Sequence, residues 1–318
     1  MIMEKVLVTG GLGFIGTALS KKLLEKGFEV ICIDNFSGTY SNENYQSNKK
    51  LLESKGKVTI INSSTLSKET FNSLKGKGIT RIVHLGAKTG VRHSVQNPKE
   101  YIETNVIGSM NVMEFASQEK IKHLVLASTS SVYGKNKIPF VETMSTLEPL
   151  SPYAASKVAM EQLAYAYYNT KKLPVNLLRF FTVYGPNGRR DMAVYKFAKL
   201  INEGKAIEIY GDGLQKRDFT YIDDIVEGII SAMNFNNGFN VFNLGCSNPV
   251  TLNKMIELLE KNLEKEAIKK FQNAKIEDAE ETFADITKAK KELNYFPKVK
   301  LEEGIKRFSQ WFLKNEVV

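Results

Sequence analysis

The sequence predicts an α/β protein: a doubly wound parallel sheet with a smaller C-terminal lobe woven into it. Three observations carry that expectation. Short apolar runs alternate with helical patterns over the first half of the chain. A glycine-rich turn joins the first run to the first helix. After "TVYGP" the rhythm breaks, and the chain ends in a stretch rich in Lys and Glu.

The elements follow in order. "KVLVTG" reads as a short buried strand and "FIGTALSKKLLEKG" as a helix closed by Gly27. "EVICID", "KVTIIN" and "RIVHLGA" read as strands. "NPKEYIETNVIGSMNVMEFASQ" reads as one helix and "HLVLAST" as the next strand. A helix opening at "SPYAASK" leads to the strand "PVNLLRFF". Strands alternating with helices argue for a parallel sheet covered on both faces. Beyond them, "AIEIYGDG", "RDFTYIDDIVEGIISAM" and "VFNLG" alternate elements with different turns, and Thr251 to Val318 reads as largely helical. The expected division sets 1–183, with 221–245 packing back onto it, against a lobe made of 184–220 and 246–318.

Bulk properties exclude several classes. No apolar run approaches the length that spans a bilayer, and no signal-peptide pattern precedes the first strand. Cys32 and Cys246, far apart in sequence, form no disulfide framework, so a reducing, cytoplasmic setting is expected. His84, His93 and His123 lack metal-ligand spacing, and no metal is expected. The formal charge is +9, but the lysines are spread along helices rather than clustered. No aromatic-and-basic strip supports nucleic-acid binding.

"VLVTGGLGFIG" contains Gly11, Gly13 and Gly16 in G-x-G-x-x-G spacing, between a strand and a helix. Glycines permit a tight turn and close backbone approach. The helix N-terminus then presents N–H groups and a positive dipole end to a pyrophosphate. Asp34 ends the second strand at the spacing expected of a ribose-binding carboxylate. An Asp there repels a 2′-phosphate, which favours NAD over NADP.

Tyr153 and Lys157 stand four residues apart in "SPYAASKVAMEQ" and share a helical face. Alone, that spacing also fits an amphipathic helix with a packed Tyr and a solvated Lys. "ASTSS" places four hydroxyl residues, Ser128 to Ser131, at the carboxyl edge of the sheet, where open parallel sheets bind ligands. Alone, these also fit strand-end caps. Beside a nucleotide loop, the two features together describe a Ser/Thr–Tyr–Lys site. A phenol titrates near 10, so to serve as a base near neutrality it must lose roughly 3 units. A neighbouring ammonium and a nicotinamide cation both favour the phenolate. Thr129 is placed to hydrogen-bond the reacting oxygen.

These motifs, with "HLGAKTGVRHSVQNP", "NVIGSMNVMEFA", "RFFTVYGPNGRRDMA" and "RDFTYIDDIVEGI", resemble the extended short-chain dehydrogenases/reductases along essentially the whole chain. Within them, the sequence resembles the NAD-dependent nucleotide-sugar epimerases and dehydratases. The resemblance implies a Rossmann-type fold with an interwoven substrate-binding lobe. Tyr153, Lys157 and Thr129 would be catalytic. Tightly bound NAD would meet Gly10, Gly13, Phe14, Ile15, Gly16, Asp34, Asn35, Leu85, Ala87 and Lys88, as well as Tyr153 and Lys157. A UDP-sugar would meet Ser130, Ser131, Thr182, Arg189, Arg217 and Asp278, with Arg217 on the diphosphate and Asp278 on the uridine ribose. Asn105 matches a structural Asn. Relatives are commonly homodimers.

Sugar-nucleotide 4,6-dehydratases of this kind carry Asp-Glu where this chain has Ser130-Ser131. Decarboxylases of UDP-glucuronate carry Glu at the Ser131 position, and epimerases of neutral hexoses carry Asn at Thr182. The "FFTVYGP" and "RDFTY" segments are most similar to UDP-glucuronate 4-epimerases. Epimerases of neutral or N-acetylated hexoses and the decarboxylase remain the alternatives, with a non-enzymatic NAD sensor as the rival of another class. The chain departs from the family pattern at Asn62-Ser63-Ser64, where an adenine-contacting Asp is usual, at "HLGAK", and at "IEDA".

Overall fold

The computed structural model describes residues 4–38, 40–235, 237–273 and 281–317. In chain order, β1 (Lys5–Thr9), α1 (Phe14–Glu25), β2 (Glu29–Asp34), α2 (Asn42–Glu53), β3 (Val58–Asn62), α3 (Lys68–Leu74) and β4 (Ile79–His84) build one half of a sheet. The short helices α4 (Val91–Gln96) and α5 (Pro98–Tyr101) lead through a π-helical turn at Ile102–Ile107 into α6 (Gly108–Gln118). Then come β5 (His123–Thr129), α7 (Pro152–Lys171), β6 (Val175–Phe180), β7 (Thr182–Tyr184), α8 (Ala193–Asn202), β8 (Ile207–Tyr210) and β9 (Lys216–Tyr221). The chain closes with α9 (Ile222–Asn234), β10 (Phe239–Leu244), β11 (Pro249–Thr251), α10 (Leu252–Leu263), β12 (Lys269–Gln272), α11 (Thr287–Leu293) and α12 (Leu301–Asn315).

Among the described residues the main sheet has seven strands in the order β10-β6-β5-β4-β1-β2-β3, and every pairing in it is parallel. The order reverses between β1 and β4, which opens a crevice at the carboxyl ends of those strands. β2, β5 and β6 carry long buried runs because helices cover both faces. One apolar cluster, around Val8, Leu19, Leu178 and Ile229, packs the sheet against α1 and α9 and continues into α10 and α12. The other, around Leu7, Ile82, Leu126 and Met160, packs the opposite face against α6 and α7. A second sheet orders β11-β9-β7, and β8 pairs with β12. No helix among the described residues is long and apolar enough to cross a membrane.

Two expectations change. The helix expected from "NPKEY" to "FASQ" is interrupted by the π-helical turn. Ser109 Oγ donates to the Asn105 carbonyl at 2.6 Å, and the Asn105 side chain is turned onto Lys88, away from the helix. A widened turn of this kind re-aims one side chain within an otherwise regular helix. Within the largely helical tail, Lys269–Gln272 is a strand parallel to β8. Its side chains are exposed, so its composition carried no apolar signal.

Candidate active site

The glycine turn is fixed by sterics. Gly10 has φ +66°, and a Cβ there would lie 2.8 Å from the Gly86 nitrogen. A Cβ at Gly16 would collide with the Gly10 carbonyl oxygen. Helix α1 starts at Phe14 with Gly13 as its N-cap, no side-chain capping bond and no acidic residue in its first turn. By contrast, Ser41 and Ser67 cap α2 and α3. The first N–H groups of α1 are therefore available to an anion. Asp34, buried at the end of β2, accepts from Leu12 N at 3.0 Å and Phe36 N at 2.9 Å. Burial raises its pKa, and these backbone donors oppose the rise. The Asn35 side chain accepts from Ser37 N and Ser37 Oγ. A Gly-capped helix and a carboxylate on the neighbouring strand fit a dinucleotide's pyrophosphate and ribose.

A chain of polar contacts ties the end of β4 to α7. Thr9 Oγ1 accepts from Gly86 N at 3.1 Å and passes its own proton toward His84 Nδ1 at 2.6 Å. His84 Nε2 then donates to Ser109 Oγ at 2.8 Å. The ring is neutral; burial, with the Lys157 charge second, lowers its pKa to about 3. Asn105 accepts from Lys88 N, donates to Lys88 O, and donates to Ser156 Oγ at 2.9 Å. Leu85, Ala87 and Lys88 thus border the crevice on a fixed loop, and Lys88 Nζ pairs with Glu100 at 2.9 Å.

At the end of β5, Thr129 caps a short helical turn, Ser130–Tyr133, accepting from Ser131 N at 3.2 Å. Ser151 caps α7, whose first turn presents Tyr153. The phenol packs edge-on against Tyr101, with ring centroids 6.1 Å apart. Burial pushes its pKa up, while a hydrogen bond with Thr129 and the Arg189 charge pull it down. The ammonium of Lys157 donates to the Ala127 carbonyl at 2.9 Å, and burial lowers its pKa to about 8 against the pull of Glu161. In the protein alone, then, burial dominates the phenol.

The remaining predicted residues fall in two places. Thr182 opens β7, and Arg189 follows it in a loop, forked onto Asp191 at 3.1 and 2.6 Å. A Cβ on Gly90 would lie 3.6 Å from the Tyr101 hydroxyl and 3.9 Å from Arg189 Nη2, so the guanidinium stands near the ring that packs against Tyr153. Arg217 lies on β9, paired in register with Val250 of β11, and its Nη1 donates to Lys216 O. Asp278 lies outside the described residues. Sequence reasoning missed Glu161 and Arg179, a buried pair directly behind Lys157. Their signals were an Arg inside the apolar strand "NLLRFF" and a Glu one turn beyond Lys157.

A sequence model of the family described as GDP-mannose 4,6 dehydratase matches residues 7–308. An uncharacterized protein of Methanocaldococcus jannaschii is 45% identical over 320 residues, 99% of this chain and 98% of that protein. A UDP-glucuronate 4-epimerase of Thermodesulfobacterium geofontis is 41% identical, covering 98% of this chain and 97% of that one. The crystal structure of UDP-glucuronic acid 4-epimerase from Bacillus cereus, in complex with UDP-glucuronic acid and NAD, superposes with a TM-score of 0.92. The two are 34% identical, over 98% of this chain and 99% of that one.

Proposed function

Since the chain belongs to the GDP-mannose 4,6-dehydratase family, we propose that it is the member that epimerises C4 of a UDP-uronic acid, converting UDP-glucuronate to UDP-galacturonate. One observation carries the choice within the family. The turn after β5 offers hydroxyls, Ser130 and Ser131, directly after Thr129, which hydrogen-bonds Tyr153, and no carboxylic acid to drive elimination. Full-length relatives named as UDP-glucuronate 4-epimerases support the same reading.

NAD, when bound, supplies the acceptor and then the donor of the C4 hydride, so no net redox change follows. Gly10, Gly13, Phe14, Ile15 and Gly16 would hold its pyrophosphate, Asp34 and Asn35 its ribose, and Leu85, Ala87 and Lys88 would line its path. Tyr153 takes and returns the proton of the C4 hydroxyl. Thr129 orients that oxygen, and Lys157 supports the phenolate. A 4-keto uronate is a β-keto acid that loses CO₂ readily. Ser130, Ser131, Thr182 and Arg189 would hold its carboxylate so that the breaking bond stays out of line with the carbonyl π system. Arg217 would fork onto the diphosphate and Asp278 onto the uridine ribose. In this reading 1–183 with 221–245 carries the cofactor, and 184–220 with 246–318 carries the nucleotide sugar.

We further propose a cytoplasmic homodimer. Both thiols are free, which suits a reducing compartment. Ile102 and Ile107 leave apolar surface beside α7 for a second copy, to be checked by sedimentation.

The test is incubation with UDP-glucuronate, without added NAD, read by proton NMR. UDP-galacturonate as the only product supports the proposal. UDP-pentose would mean a decarboxylase. Turnover of UDP-glucose or UDP-N-acetylglucosamine in place of the uronate would overturn the carboxylate pocket.

A further inference from the structure

The face of α7 that carries Tyr153 and Lys157 continues one turn further to Glu161. Two consecutive residues of β5 grip this face. The Ala127 carbonyl accepts from Lys157 Nζ at 2.9 Å, and Ser128 Oγ donates to Glu161 Oε1. From the next strand, Arg179 forks onto the same carboxylate, Nε to Oε1 at 3.0 Å and Nη2 to Oε2 at 2.6 Å. Ser128 and Arg179 are register partners in β5 and β6, so both donors approach from one face of the sheet. The guanidinium also donates to the Glu142 carbonyl at 3.2 Å and covers the Tyr133 ring. Ser128, Lys157, Glu161 and Arg179 are all buried.

A buried ion pair is weak grounds for stability, because apolar residues of the same volume often serve as well. Its placement needs another reason. We infer that Glu161 is a positioning residue for the Tyr153–Lys157 pair, holding the Lys157 ammonium charged and fixed against the end of β5. The inference rests on the catalytic reading of that pair.

Among the described residues, Tyr153 and Glu161 share the helix of Lys157, and the neutral His84 on β4 feels its charge. Arg179 on β6 grips Glu161, with the Glu142 carbonyl and the Tyr133 ring on that guanidinium. Burial drives the ammonium toward loss of its proton, and Glu161 is the group that opposes this. Taking away the Glu161 charge therefore lets Lys157 deprotonate at lower pH. The phenolate of Tyr153 then loses its cationic neighbour on the alkaline side.

The experiment compares Glu161→Gln with wild type. The amide keeps nearly the shape of the carboxylate and removes its charge, but one of its two terminal atoms becomes a donor facing Ser128 or Arg179, so one of these contacts is lost. The alkaline limb of the kcat profile should move down by about one pH unit, with KM changed less than about twofold. On that limb kcat should fall on the order of tenfold. Because Gln next to Arg179 leaves a buried cation, Glu161→Gln combined with Arg179→Met is the second variant, and the same shift is expected. An unmoved limb, whether kcat is intact or lowered evenly at all pH values, would overturn the inference. Urea unfolding against pH reads the Lys157 titration without substrate. If wild type fails to turn over UDP-glucuronate, the functional proposal falls, and the unfolding titration still decides the role of Glu161.

Discussion

Asn105 takes hold of both backbone polar groups of Lys88, accepting from its N–H at 2.8 Å and donating to its carbonyl at 2.9 Å. A third bond, to Ser156 Oγ, ties that loop to the helix of Tyr153, because Ser156 Oγ donates to the Tyr153 carbonyl. One buried amide thus sets the distance between the crevice wall after β4 and the reacting phenol. Asn105→Ala leaves the Lys88 backbone groups without this partner in a partly buried site. The expected loss is about 2–4 kcal/mol, from a few unsatisfied groups at 1–3 kcal/mol each with partial relaxation. Urea unfolding measures it. NAD carried through gel filtration, read by absorbance, should fall in parallel. Full NAD retention would show that the loop keeps its place without the clamp.

Gly16 tests the nucleotide turn in another way. Its missing Cβ leaves room for the Gly10 carbonyl, a backbone atom that cannot step aside as a side chain would. Gly16→Ala must push α1 away from the turn, at about 1–3 kcal/mol for overpacking of this kind. The helix N-terminus moves with it, so NAD retention should drop more than stability suggests. Differential scanning calorimetry with and without added NAD separates the two effects. Wild-type stabilisation by NAD should be largely lost in the variant.

Much of this was legible in the sequence, because backbone needs leave strong marks. The strands of the seven-stranded sheet show as apolar runs, and the turn shows as glycines at fixed spacing. Tyr153 and Lys157 show because helical period places them on one face. What stayed hidden depends on contacts between distant segments. The π-helical turn at Ile102–Ile107 arises from what Asn105 and Ser109 do with Lys88 and with backbone, and local propensity carries no trace of that. Lys269–Gln272 is a strand because β8 lies beside it, and its exposed side chains have no alternation to read. Glu161 and Arg179 meet only because the register of β5 and β6 sets Ser128 beside Arg179 opposite α7, a pairing no local pattern shows. The phenol's response to burial could not be read from a four-residue spacing at all.

Lys157 should also mark the protein's stability. Its pKa is lowered from 10.5 to about 8, chiefly by burial. Between these values the unfolded chain holds a proton that the folded chain has released. Stability therefore rises with pH across that window and carries the full penalty below it. The shift corresponds to about 3 kcal/mol at most, at 1.36 kcal/mol per unit. Lys157→Met removes the titrating group. Urea unfolding of the NAD-free protein at closely spaced pH values should show a rise in wild type that the variant lacks, while the variant loses epimerase activity. Parallel curves for the two proteins would place the titration elsewhere.

The last prediction concerns the carboxylate of the substrate. Thr182 and Ser131 stand on different segments, one opening β7 and the other in the turn after β5, where Ser131 accepts from Thr129 Oγ1 at 3.2 Å. If the two hydroxyls fix the carboxylate, each restricts rotation about the bond that would break in decarboxylation. Thr182→Ala and Ser131→Ala should each raise the ratio of UDP-pentose to epimer about tenfold or more, on the scale of a lost hydrogen bond to a charged group, about 1.5–3 kcal/mol. Epimerisation should fall less, because Tyr153, Lys157 and Thr129 are untouched. The double variant should exceed the sum of the single effects, since one remaining hydroxyl still limits rotation. Proton NMR of the product mixture gives both yields at once. An unchanged UDP-pentose fraction in both single variants would remove these two hydroxyls from the role and leave Ser130 and Arg189 to hold the carboxylate.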